Sequence, residues 1–116
     1  MAGTFSAANP AGEDELAAQW ALMSRLDGHL LLARLIRYLE DRRVEESRFT
    51  GAIERHPSPL AVLWGVDDPV AVVAMVGRLI DAVEAVGSPP PVAVERLDDV
   101  GHYPMIERPD LVGPLL

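Results

Sequence analysis

Hydrophobic and polar positions follow two textures along this chain. Behind an acidic start at Glu13, Asp14 and Glu15, which suits the positive end of a helix dipole, Leu16, Trp20 and Met23 recur at helical spacing until Asp27-Gly28. A second helix is predicted over about 28–42, where Leu31, Leu32, Leu35, Ile36 and Leu39 form an apolar stripe so wide that it calls for a large packing partner. A third is expected from about Val44 to His56, with Glu45 and Glu46 in its first turn, Arg55 and His56 in its last, and Pro57 and Pro59 ending it. The stretch before these helices, about residues 1–12, is small and polar with Pro10 and Gly12, and reads as a flexible terminus.

The texture changes after Pro59. Leu60-Ala61-Val62-Leu63-Trp64 is a short continuous apolar run closed by Gly65, the pattern of a buried parallel strand. Pro69 fits the first position of a helix carrying Val72, Val73, Val76, Leu79, Ile80 and Val83, up to a break at Gly87-Ser88-Pro89-Pro90. A second strand follows at about 92–97, and the proline-bounded tail holds a short final helix. Strand, helix, strand is a parallel βαβ unit, so the expected class is α/β: a flexible N-terminus over 1–12, a helical segment over 13–57 and a C-terminal βαβ unit over 58–116.

Composition narrows the function classes. A net charge of −8 disfavours a nucleic-acid surface, which needs clustered cations, and the helical arginines, Arg34, Arg37, Arg42, Arg43 and Arg48 among them, are matched by Glu40, Asp41, Glu45 and Glu46 as a solvated ion-pair face. The absence of cysteine removes thiolate chemistry and fits a cytoplasmic protein. No segment approaches the ~20 apolar residues of a membrane helix, so no membrane partner is expected. Acidic residues are plentiful, yet no His/Asp cluster has metal-ligand spacing and no glycine-rich loop would cradle phosphate; neither metal nor cofactor is expected.

Candidate chemistry sits just past the carboxyl ends of the two strands, where open α/β sheets place their ligands. There Trp64-Gly65-Val66-Asp67-Asp68-Pro69 ends the first strand and Gly101-His102-Tyr103-Pro104, with Glu107 and Pro109 after it, follows the second. In that order, these stretches resemble the acid loop, W-G-x-x-D-P, and the histidine loop, G-H-x-P, of the α/β-hydrolases. Residues 27–53 look like the helical cap of epoxide hydrolase and haloalkane dehalogenase-like members, a mesoderm-specific-transcript-like branch being nearest. The fold this implies is a partial α/β-hydrolase, a helical cap followed by the C-terminal βαβ unit.

The resemblance implies His102 as general base and Asp68 as the acid that accepts its N–H, with Asp67 as a neighbouring competitor. Imidazole, with an unperturbed pKa of ~6.5, can accept and return a proton near neutrality. Tyr38 is a candidate substrate-binding donor from the cap; otherwise it packs at a helix rim with its hydroxyl in water. Trp64 reads as core, Met23, Met75 and Met105 as core filler, and His29 and His56 as helix residues. The 116 residues contain no G-x-S-x-G or Asp-centred nucleophile elbow and no oxyanion-hole glycine motif. Two functions are therefore expected: a fragment or half of a hydrolase of the ester, epoxide or haloalkane class, inactive until a missing N-terminal part completes it for a small-molecule substrate, or a non-catalytic interaction or dimerisation module.

Overall fold

The computed structural model describes residues 2–86 and 91–115. The chain is mixed α/β: a helical segment precedes a two-stranded parallel sheet with its crossover helix. Helices α1 (Glu13–Ser24), α2 (Leu32–Leu35), α3 (Tyr38–Val44) and α4 (Glu46–Glu54) come first; β1 (Leu60–Gly65), α5 (Ala74–Glu84) and β2 (Val92–Leu97) form the βαβ unit; one-turn helices α6 (Pro104–Glu107) and α7 (Pro109–Val112) close it. Pro104 and Pro109 begin these last two turns, where a missing N–H costs nothing. The expected break at 87–90 lies outside the described residues.

The strands pair in parallel from Leu60 opposite Val92 to Gly65 opposite Leu97. Val62 and Leu97 are buried in them, and Leu97 joins Val100 and Val112 in a small core edged by Leu63 and Leu111. Val76 and Val83, seven residues apart on α5, are fully buried. This is the helical period expressed as a single inward face.

Four expectations need correction. The helix after β1 begins at Ala74, not Pro69. Asp68 Oδ1 accepts the N–H groups of Val70 (2.8 Å) and Ala71 (2.9 Å), and Trp64 Nε1 donates to the Ala71 carbonyl (2.8 Å), so these groups are committed to a turn before any helix can claim them. The single helix expected over 28–42 is divided: left-handed Leu26 and Asp27 end the first helical run, tight 3-10 turns follow to Leu31, and the backbone tightens again around Ile36 and Arg37. Helix α4 stops at Glu54; the N–H groups of Arg55 and His56 still bond back to Gly51 O and Ile53 O, and Pro57 disfavours helical geometry at His56.

The fourth correction concerns the N-terminus. Residues 2–12 are not a loose end: Phe5 and Ser6 are buried, and Thr4 O accepts the N–H of His102 at 2.9 Å. The segment lies as a strap across the loop after β2. Ser6 Oγ donates to the carbonyl of Asp99 at 2.5 Å and Asn9 Nδ2 to the same oxygen at 2.7 Å.

Helices α2 and α3 are exposed throughout, and their apolar stripe finds no cover among the described residues: Leu31, Leu35, Ile36 and Leu39 are about half exposed or more. Ion pairs along the helical segment are long and solvated, Arg43 with Glu40 on α3 at 3.9 Å and Arg48 of α4 with Glu45 at 4.0 Å. Such pairs add little stability. Among the described residues no helix is long and apolar enough to cross a membrane.

Candidate functional site at the strand ends

Two loops leave the same end of the parallel pair and are stitched together by backbone. Val66 N–H donates to Leu97 O (3.0 Å) and Asp67 N–H to Val100 O (2.9 Å). Gly65 makes this approach possible, since a Cβ there would fall onto the carbonyl oxygens of Gly101 and Val100. After β2 the chain reverses through Asp99, whose φ of 61° is the left-handed conformation that aspartate tolerates better than most residues.

This geometry brings Asp68 and His102 together. His102 Nδ1 lies 2.8 Å from Asp68 Oδ2, the carboxylate side chain only 6% exposed and the imidazole 34%. The two carboxylate oxygens have separate tasks: Oδ1 holds the Val70 and Ala71 N–H groups and Oδ2 faces the histidine. Burial alone would raise the Asp68 pKa, but the Ala71 N–H, the His102 ring and the Val70 N–H together hold it below the ordinary carboxylate value. An ionised carboxylate only accepts, so a neutral ring in this contact carries its proton on Nδ1 and keeps a free lone pair on Nε2. That is the tautomer a general base requires.

The imidazole and carboxylate line a shallow cleft of about 230 Å³ with Leu63, Trp64, Pro104 and Met105. Trp64 and Met105, read from the sequence as core, are therefore wall residues; Met105 is 59% exposed and Met75 43%. Tyr38 is not brought to this cleft. It lines a separate groove with Leu31, Arg34, Leu35 and Asp41. Asp67 is exposed, and its contribution is the backbone bond to Val100. His56 Nδ1 accepts the Ser58 N–H at 3.2 Å, and the His29 ring lies 5.6 Å from that of Trp20; neither belongs to the site. Among the described residues no group of His, Asp and Glu side chains is arranged to hold a metal ion.

Sequence reasoning placed Glu107 in the histidine-loop pattern but gave it no role. Its Oε2 accepts the N–H groups of Gly101 (2.7 Å) and Ser6 (3.0 Å) and its Oε1 that of Tyr103 (3.2 Å), so it grips the histidine loop on both sides of His102. Burial raises its pKa, and the Gly101, Ser6 and Tyr103 N–H groups more than reverse this, leaving the carboxyl below its ordinary value. The sequence signal was its place, five residues after the histidine, in the stretch that resembles a hydrolase histidine loop.

Comparison with known proteins supports a hydrolase-like relation for the chain. Over 105 residues, 90% of the chain, it is 38% identical to a Mycobacterium tuberculosis protein named "Putative hydrolase LipZ", of which that match covers 34%. It is 30% identical over 98 residues, 84% of the chain and 28% of the relative, to the mesoderm-specific transcript protein of Mus musculus, and 31% identical over the same length to the Homo sapiens homologue. No protein-family model and no solved structure matches the chain. This chain is thus a relative of a hydrolase-named protein and of mesoderm-specific transcript proteins, and spans about a third of their length.

Proposed function

We propose that this chain is the cap and C-terminal part of an α/β-hydrolase, supplying the acid and the base of a hydrolytic triad. The contact between His102 Nδ1 and Asp68 Oδ2 at 2.8 Å carries the reading, because it fixes the ring in the tautomer that leaves Nε2 able to take a proton. The nucleophile and the oxyanion hole come from polypeptide outside these 116 residues, which contain no G-x-S-x-G. In the completed site the nucleophile bonds to an ester carbonyl carbon, an epoxide carbon or a halogen-bearing carbon as the C–O or C–halogen bond breaks and the alcohol, ring oxygen or halide takes up the electron pair; His102 then takes a proton from water, whose oxygen attacks the covalent intermediate and releases the nucleophile. Alone, the chain binds no transition state and is inactive.

A chimera tests this directly: the 105-residue matching stretch of this chain replaces its counterpart in the mycobacterial relative, and hydrolysis is followed on an ester, epoxide and haloalkane panel. The chimera is expected to turn over the substrates its parent accepts, the 116-residue chain none, and His102→Ala in the chimera to abolish turnover. His102-dependent turnover by the isolated chain, or a folded chimera indifferent to His102→Ala, would refute the proposal.

A second reading has its own observation. Leu31, Leu35, Ile36 and Leu39 leave an uncovered apolar stripe on the helical segment, and such surfaces mark association sites. On this reading the helices dimerise or dock on a partner chain, and Asp68 and His102 serve only to fold the loops.

A further inference from the structure

The histidine loop is held by more than its own sequence. Three consecutive backbone N–H groups are tied: Gly101 and Tyr103 to the Glu107 carboxylate at 2.7 and 3.2 Å, and His102 to Thr4 O at 2.9 Å. The same Glu107 oxygen that holds Gly101 also accepts the Ser6 N–H at 3.0 Å, across a sequence separation of 101 residues. Below the strap, Gly101 gives the room: a Cβ on it would sit 2.6 Å from Ser6 N and 2.8 Å from Thr4 O. Phe5, 7% exposed, packs at a tilt against Tyr103 with ring centroids 5.2 Å apart, and the Tyr103 ring in turn meets the His102 imidazole edge-on at 5.1 Å. The far end of the loop is fixed as well, where Ser6 Oγ and Asn9 Nδ2 both donate to Asp99 O.

We infer that Glu107 is a positioning residue, which knots the strap of residues 4–9 to the histidine loop and so aims the His102 imidazole at Asp68. The inference rests on the reading of Asp68 and His102 as acid and base. A carboxylate suits the task because it accepts through two oxygens and donates through none; a glutamine in its place offers one acceptor oxygen and an NH₂ that opposes a backbone N–H. Burial of the knot matters too. Ser6 is 4% exposed, so a released N–H there finds no ready water.

Imidazole ¹⁵N shifts and amide hydrogen exchange of the full 116-residue chain provide the test. The wild type is expected to show the Nδ1–H tautomer and slow exchange at Gly101 and Tyr103. In Glu107→Gln those amides should exchange about 10-fold faster or more, the ratio set by one hydrogen bond to a charged group, and the Nδ1–H tautomer should lose its dominance. Glu95→Gln, at an exposed position of β2, should change neither. If Glu107→Gln does not fold, the same two readouts on Phe5→Ala decide, since it loosens the strap without touching the carboxylate. A folded Glu107→Gln, or failing that Phe5→Ala, with wild-type tautomer and exchange overturns the positioning role. Asp68→Asn separates the two levels: it should abolish the Nδ1–H preference, and if it does not, the acid–base reading falls and the positioning role with it.

Discussion

Asp68 divides its carboxylate between two partners, presenting Oδ2 to His102 Nδ1 at 2.8 Å and Oδ1 to the N–H groups of Val70 and Ala71. Its two conservative variants should therefore fail differently. Asparagine keeps an acceptor for the turn but offers an NH₂ toward the ring, which favours the wrong tautomer; in the chimera kcat should fall by roughly 10⁴-fold with the fold intact. Alanine leaves both turn N–H groups without a partner and should in addition lower unfolding free energy by about 1–3 kcal/mol. Urea melts of the two variants check the difference, and equal stabilities would show that Oδ1 contributes nothing to the turn.

Acid should weaken this fold through Asp68 and Glu107. Both carboxyls are held below their ordinary values in the folded chain, so the unfolded chain binds more protons as pH falls through that range. The stabilisation is fully present above the unfolded values of ~3.9 and ~4.3 and is lost as pH drops through the lower folded ones. Urea midpoints measured from about pH 6 down to about pH 3 should decline most steeply below ~4.3. An Asp68→Asn, Glu107→Gln double variant should show a flatter profile than the wild type. Superimposable profiles would remove these two groups as the source.

What could be read from the residues, and what could not, divides by the range of the interactions. The strand at Leu60 to Gly65 and the parallel βαβ class were legible because a continuous apolar run closed by glycine is local information. So was the placement of Asp68 and His102 at neighbouring strand ends. The delayed start of α5 was not, since Pro69 reads as a helix opener until the Asp68 side chain takes the Val70 and Ala71 N–H groups. The strap was hidden more deeply. Small polar residues before Glu13 resemble any loose terminus, and only long-range bonds from Thr4, Ser6 and Asn9 to residues 99–107, near the other end of the chain, distinguish them.

Two glycine-to-alanine changes should move stability in opposite directions. At Gly65 the new Cβ meets the backbone carbonyls of Val100 and Gly101, which cannot rotate away, so the loops must part. A loss of about 1–3 kcal/mol is expected, with faster exchange of the Asp67 N–H that bonds Val100 O. At Gly77, inside α5, a Cβ meets nothing within 4 Å. There alanine should raise stability by about 0.5–1 kcal/mol through helix propensity. A neutral Gly65→Ala would mean the loops have slack that their backbone bonds do not indicate.

The uncovered stripe on α2 and α3 separates stability from association. Leu35 is 61% exposed and Leu39 49%, so their side chains contribute little to the fold of this chain while offering apolar area to another surface. Glutamine at both positions keeps helix propensity and adds no charge. Each change should alter unfolding free energy by no more than about 0.5 kcal/mol, yet the double variant should sediment with less self-association than the wild type. If the wild type is already a monodisperse monomer at high concentration, self-pairing through this stripe is excluded. If instead the double variant unfolds, Leu35 and Leu39 are packed inside the chain, and the case for a docking surface on these helices disappears with their exposure.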